Sequence, residues 1–362
     1  MIGRITDEQR DLVATVRSLL AKHAGLREAI ASDSGYDEKL WRLLCEQVGV
    51  AALAIPEDFG GVGASIVESH LVLSELGSVL AATPMLGSVA ICAPTLLALG
   101  DEKSCAQWLP EIAAGSAVAA LCWAGEAGWD TPGVSADSAG RLSGSSQYVL
   151  DGHIADVLVV VASTDDGYGF FEVDPATTTR AATRGMDPTR RFTSVSFDAT
   201  PARRLDNGNG GHVIDRVRVI ACAALAAEQV GAADRCLANT VAYTKSRVQF
   251  GRPIGSFQAL KHRMADMYAL VETARSMSYA ATAALANDDP DAAESAFAAK
   301  IYCSEALETV AAESVQLHGG IAITWEHDAH LYFKRAHADA QLFGAPRCYV
   351  EKLSQHVVSS RS

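Results

Sequence analysis

The sequence has no C-x-x-C pair, no long uninterrupted apolar run and no excess of basic charge. Each absence excludes a class. The eight cysteines (Cys45, Cys92, Cys105, Cys122, Cys222, Cys236, Cys303 and Cys348) are scattered. They read as small, reduced core residues and not as a disulfide or zinc framework. A membrane-spanning helix needs about 20 apolar residues. The most apolar stretch, 85–100, is broken by Pro94. Asp7, Glu8, Arg10 and Asp11 near the amino end leave no hydrophobic signal core, which predicts a cytoplasmic protein without a membrane span. Thirty basic residues face 43 acidic ones, a net charge of −13. Binding to a phosphate backbone needs a basic face, so nucleic acid is excluded as a partner. His327 and His330 stand three apart, but no third ligand accompanies them, and no metal site is expected.

What remains is an ordinary globular composition, 49% hydrophobic and 20% charged over 362 residues. That is enough for two or three packed units. Texture divides the chain into an α+β order of three parts. Residues 1–118 read as an N-terminal helical domain, with Leu12, Val13, Val16, Leu19 and Leu20 at helical spacing. Residues 119–208 turn rich in Gly, Ser, Thr and Asp, with short strand-like runs at 157–161 and 191–197, and read as a middle β domain. Residues 209–362 return to the helical period: a proline-free, alanine-rich segment over 213–246, then a helix carrying Leu260, Met264, Met267, Val271 and Ala274, then one over about 290–317 that stops at Gly319-Gly320. A C-terminal four-helix bundle is the expectation.

Two segments carry chemistry. Arg247-Val248-Gln249-Phe250-Gly251-Arg252-Pro253-Ile254-Gly255-Ser256-Phe257-Gln258 joins two long helices through a turn. It gathers guanidinium, amide and aromatic groups at one corner, and an arginine fork there suits a diphosphate. Gln316-Leu317-His318-Gly319-Gly320 ends a helix on two glycines, which either cap it or let backbone N–H groups approach a ligand.

Together these segments resemble the signatures of the acyl-CoA dehydrogenase family. Pro56-Glu57-Asp58-Phe59-Gly60-Gly61, Trp108-Leu109-Pro110, Thr324-Trp325-Glu326-His327-Asp328 and Leu331–Ala336 extend the resemblance over almost the whole chain. The resemblance implies an N-terminal helical domain, a β-barrel-like middle domain and a four-helix bundle. It also implies a tetrameric flavoenzyme that binds FAD, forms a 2-enoyl-CoA from an acyl-CoA and passes electrons to an electron-transfer flavoprotein. By the same resemblance Arg247, Gln249, Phe250, Gln258, Gln316, Gly319 and Gly320 would grip the ADP half of an FAD seated in a neighbouring subunit.

The departures are as informative. The α-proton of a thioester needs a base. The family's two glutamate positions fall here on Gly344 and Ala221, neither of which accepts a proton. Glu228 lies seven residues beyond Ala221, about 10 Å along a helix, and reads as structural; Asp339 flanks the other position as a second fallback. The family's Thr-Glu-Pro-any-Ala-Gly-Ser-Asp flavin loop becomes Trp123-Ala124-Gly125-Glu126-Ala127-Gly128-Trp129-Asp130, so both hydroxyls are indoles. The Trp-Ile-Thr strand becomes Tyr148-Val149-Leu150. The expectation is therefore a subunit without its own base that helps bind FAD in a homologous partner, as an α2β2 heterotetramer. Its substrate class would be an acyl-CoA, possibly a steroid side-chain CoA ester. The competing expectations are a self-sufficient enzyme with a displaced base and a non-enzymatic acyl-CoA-binding or scaffold protein.

Overall fold

Side-chain caps start the first helices. In the computed structural model, which describes residues 5–359, with side chains to residue 355, helix α1 (Asp7–His23) opens on a capping box. Thr6 Oγ1 accepts from the Gln9 N–H and Gln9 Oε1 from the Thr6 N–H. Residues 1–4 and 360–362, at the ends of the two expected outer domains, lie outside the described residues. A short α2 (Leu26–Ala31) follows, and Asp37 caps α3 (Glu38–Val48) by accepting from the Leu40 N–H. Ser65 and Glu68 form a second capping box on α4 (Ile66–Ser78). A π-helical turn, Met85–Cys92, leads into α5 (Ala93–Leu99), with Pro94 in its first turn, and α6 (Glu102–Ala114) completes the set. The apolar stretch at 85–100 is thus core, and no helix among the described residues is long and apolar enough to cross a membrane.

The middle segment holds β1 (Ala119–Cys122), β2 (Val134–Ala136), β3 (Arg141–Leu150), β4 (Val157–Thr164), β5 (Gly167–Val173), β6 (Thr179–Thr183), β7 (Phe192–Pro201) and β8 (Arg203–Arg204). They form one eight-stranded sheet in the order β6-β7-β3-β2-β4-β5-β8, with β1 joined in parallel to β4. β4 is a continuous buried run, Val157–Val161, because it is covered on both faces. One face packs with the helices and the other carries its own cluster of Val134, Leu142, Leu158, Val160, Phe171 and Val195.

The last segment contains α7 (Gly210–Ser246), a two-residue ladder β9 (Val248–Gln249) and β10 (Arg252–Pro253), then α8 (Gln258–Ala286), α9 (Ala292–His318), α10 (Ala329–Gln341) and α11 (Pro346–Ser359). Helix α7 starts three residues before the expected 213. Gly210 looks like loop in the sequence, but a Cβ there would lie 2.0 Å from the Tyr168 carbonyl, so the glycine lets the helix start hard against β5. The expected helix at 290–317 runs Ala292–His318, and Pro290 stays outside it. In the stripe on α8, Met267, Val271 and Ala274 are buried in the bundle core. The N-terminal helices are fastened to the bundle where α4 crosses α7. There the Cβ of any residue at 231 would lie 1.7 Å from the Ser74 carbonyl, so the two backbones touch.

Candidate functional site

The first candidate surface is the corner where α7 ends. The Phe250-Gly251 tip joins β9 to β10 with φ +52° and +77°. Positive φ at both central residues is what a tight two-residue hairpin needs, and an aromatic residue accepts it only with strain. The Ile254 N–H closes the loop onto the Arg247 carbonyl at 2.8 Å. Phe250 is 91% exposed. Its ring meets Phe257 edge-on at 6.2 Å, and the Arg252 guanidinium lies over the other aromatic of the pair, 4.0 Å from the Phe257 centroid. Arg247, Gln249 and Gln258 are exposed, and Arg247 makes no ion pair among the described residues.

The second segment lies at the same end of the bundle. Tyr243 stacks on His318 at 4.5 Å, Thr240 donates to Ser314 at 2.9 Å, and Arg263 bridges Glu313 at 2.5 Å. Gln316 is exposed. Gly319 has φ +68°, and a Cβ at either Gly319 or Gly320 would meet nothing within 4 Å. The Gly319 N–H closes α9 on the Val315 carbonyl, and the empty space around both glycines leaves this stretch of backbone open to close approach by a ligand. All seven residues singled out for the nucleotide thus stand at one exposed end, among apolar neighbours Val248, Ile321, Ile323 and Trp325 that are also exposed. The unpaired Arg247 guanidinium, the exposed side chains of Gln249, Gln258 and Gln316 and the uncrowded glycine backbone fit the adenosine and diphosphate half of an FAD, with Gln249 Nε2 turned onto the Val248 carbonyl at 2.9 Å in the free chain.

At the positions expected to touch the isoalloxazine half, aromatic side chains stand in place of hydroxyls. Between the sheet and α10–α11 lies a crevice of about 550 Å³, lined by Trp129, Tyr148, Phe192, Phe343 and Gly344. Trp123 and Phe343 stack at 6.0 Å with 18° between their planes, and Trp129 packs edge-on against both, at 5.4 and 5.2 Å. Another flat ring needs about 7 Å between two stacked planes, so this aromatic group admits none. Trp123 is 2% exposed and is core. The positions where hydroxyls were expected therefore do not present hydrogen bonds to the crevice; they close part of it.

No free carboxylate faces this space among the described residues. Asp130 lines it but is held by Lys352 at 2.9 Å and Arg218 at 3.2 Å. Partial burial raises its affinity for a proton, yet the Lys352 hydrogen bond and the Arg218 charge prevail and keep the carboxyl below the usual range. Gly344 has φ +115°, and a Cβ there would sit 3.3 Å from the Tyr349 ring. Ala221 is fully buried within the helical core beside Val217 and Leu225.

The fallback acids lie elsewhere, in a buried charge cluster. Glu228 accepts from Arg190 Nη2 at 2.5 Å and from Arg335 Nη1 at 3.2 Å. Arg335 also holds Asp187 at 2.7 Å and the Thr189 hydroxyl at 2.6 Å. Asp339 is 1% exposed, 3.6 Å from Arg190, with both carboxylate oxygens lacking a hydrogen bond. Burial pushes its pKa up to about 6 against the pull of Arg190 and Arg335. Asp151 beside them is raised to about 7 by burial. Sequence reasoning did not foresee this cluster. Its members come from four separate segments, and the only local signal was the Asp-Pro-Thr-Arg-Arg run at 187–191. His327 and His330 belong to no metal-binding group among the described residues.

Comparison with known proteins agrees with this architecture. The acyl-CoA dehydrogenase N-terminal domain matches residues 6–116, and the acyl-CoA dehydrogenase C-terminal domain matches residues 210–348. The acyl-CoA dehydrogenase IpdE2 of Mycobacterium tuberculosis is 46% identical over 98% of both chains. The acyl-CoA dehydrogenase FadE27 of the same organism is 32% identical over 90% of this chain and 89% of its own. Among solved structures, the ChsE4-ChsE5 complex from Mycobacterium tuberculosis superposes with a TM-score of 0.90 at 27% identity, covering 99% of each chain. The steroid ACAD Tcur3481-Tcur3483 does so with a TM-score of 0.91 at 29% identity, again over 99% of each. The likeness runs the length of the chain through both domain types, and on that ground the chain belongs to the acyl-CoA dehydrogenase family.

Proposed function

We propose that this chain is the base-less subunit of a heteromeric, FAD-dependent acyl-CoA dehydrogenase. The observation that carries the reading is the crevice at Gly344, which has aromatic side chains where a ring and a base would be needed and only an ion-paired carboxylate nearby. A homologous partner, in an α2β2 assembly, brings the carboxylate that removes the α-proton and the pocket for the flavin ring. An FAD held there would supply the acceptor for the hydride from the β-carbon, and an electron-transfer flavoprotein would take the electrons onward. This chain's part is to hold. Arg247 neutralises the diphosphate, Gln249, Gln258 and Gln316 donate amides, the Gly319-Gly320 backbone comes close, and Phe250 fills an apolar recess of the partner. The names of the ChsE4-ChsE5 complex and of the steroid ACAD Tcur3481-Tcur3483 support two kinds of chain in one assembly and a ring-bearing CoA ester as substrate.

The test is expression of the chain alone and together with a homologous acyl-CoA dehydrogenase chain that carries a glutamate at either base position. The chain alone should be nearly colourless and inactive; the pair should be yellow, of two chain types, and active on an acyl-CoA. Stoichiometric FAD with full turnover in the isolated chain would sink the reading.

A further inference from the structure

The crevice between the sheet and α10–α11 is not filled by its aromatic lining: about 550 Å³ remains. That lies within the roughly 300–1,000 Å³ of small-molecule pockets. It is far too small for a whole CoA thioester but ample for a compact two-ring body.

Its charge runs against the rest of the molecule. The chain carries −13, yet the crevice is lined by Arg184, Arg218, Arg347 and Lys352 against one carboxylate, Asp130. Arg218 and Lys352 are spent on Asp130, at 3.2 and 2.9 Å. Arg184 and Arg347 pair with no carboxylate among the described residues. Two unspent guanidinium groups at the rim of an apolar space concentrate positive potential where bulk charge would repel anions. Each offers a planar fork that matches a carboxylate. The walls below are aromatic: Trp129 stacks on Tyr148 at 6.4 Å, and Phe192 stands edge-on to Tyr148 at 6.3 Å with 87° between their planes. Tyr148 is 46% exposed, so its ring, flanked by Trp129 and the perpendicular Phe192, offers an aromatic surface against which another ring can pack.

We propose that this crevice binds a ring-bearing monocarboxylate without turning it over, with the carboxylate held by Arg184 and Arg347 and the ring packed against Tyr148 between Trp129 and Phe192. The site would be a binding pocket in a subunit that does no chemistry of its own. The inference rests on the reading that no isoalloxazine occupies this space. Flavin content of the same preparation, read from its visible absorbance, reports on that reading separately.

The experiment uses the full chain and two probes of nearly equal shape, 2-naphthoate and its neutral counterpart 2-naphthamide, followed by isothermal titration calorimetry. Naphthoate should bind one per chain, at least about tenfold more tightly than the amide. Arg184→Ala and Arg347→Ala should each weaken naphthoate at least about fivefold and leave the amide unchanged, and Arg42→Ala, an exposed arginine on α3, should change neither. Arg184 and Arg347 are exposed, so their loss does not threaten the fold. No naphthoate binding at millimolar concentration, equal affinity for the two probes, or indifference to both crevice arginines would each overturn the proposal.

Discussion

One carboxylate oxygen of Glu228 sits 2.5 Å from Nη2 of Arg190, and both side chains are less than 10% exposed. Such a group is a tether. A proton-transfer partner must be free to approach substrate, whereas this carboxylate is committed on one side to Arg190 and on the other to Arg335. Glu228→Gln should therefore act on stability. Removing one charge of a buried pair strands its partners, at a cost of about 3–5 kcal/mol. Denaturant unfolding should show the loss, while the turnover number per folded complex stays within about twofold. A collapse in turnover at unchanged stability would reassign Glu228 to the chemistry.

Asp339 predicts an unusual pH response. Its folded pKa, about 6, is above the ordinary value near 3.8, so the folded chain binds this proton more tightly than the unfolded chain does. Its contribution to stability is full below about pH 4 and disappears as the pH rises through 6. Asp339→Asn should flatten the stability profile between pH 4 and 6. At pH 8 it should not destabilise, because Arg190 and Arg335 then face Glu228 and Asp187, two charges against two. Unfolding midpoints measured across that range decide it, and a variant much weaker than the parent at pH 8 would contradict the account.

Restoring a base by substitution should fail at both positions, for different reasons. Gly344→Glu must place a side chain at φ +115° with its Cβ 3.3 Å from the Tyr349 ring, whose hydroxyl is tied to the Phe343 carbonyl at 2.6 Å. Ala221→Glu buries a carboxyl in an apolar helix interface, where it loses stability and takes up a proton. Neither isolated variant should dehydrogenate an acyl-CoA, and both should melt below the parent. An active Gly344→Glu homo-oligomer would show that the crevice still holds the ring.

At the hairpin, Phe250→Ala should leave the melting temperature of the isolated chain within about 2 °C, since a side chain that is 91% exposed contributes little to its own fold. It should weaken assembly with the partner and loosen FAD, seen as loss of colour on gel filtration of the pair. Phe250→Asn separates the ring from the turn: asparagine accepts positive φ readily, so the hairpin should persist while the assembly defect remains. Normal assembly of Phe250→Ala would remove this residue from the interface.

Much of the architecture could be read before any coordinates because it depends on local patterns. The helical period on α8 and the punctuation at Gly319 are written within a few residues of where they act. The two nucleotide-gripping segments were legible for the same reason, and their meeting at one end of the bundle follows from α7, α8 and α9 being joined by short turns. The buried cluster was not legible. Asp187, Glu228, Arg335 and Asp339 are brought together only by the docking of the middle sheet on the bundle, which no local pattern encodes. The start of α7 was misjudged because Gly210 is small for a reason on another strand, the close carbonyl of Tyr168. Trp123 and Trp129 were read as lost hydroxyls; that they also meet Phe343 and narrow the crevice is a packing fact.

The Arg335–Asp187 contact has one more consequence. It rivets the loop after β6 to α10, and both form walls of the crevice, through Arg184–Met186 on one side and His337–Gln341 on the other. Those walls cannot separate without breaking a dry ion pair, so they act as a fixed jaw. Any movement that admits or releases a guest must come from the opposite lip, the short stretch from Gly344 through α11.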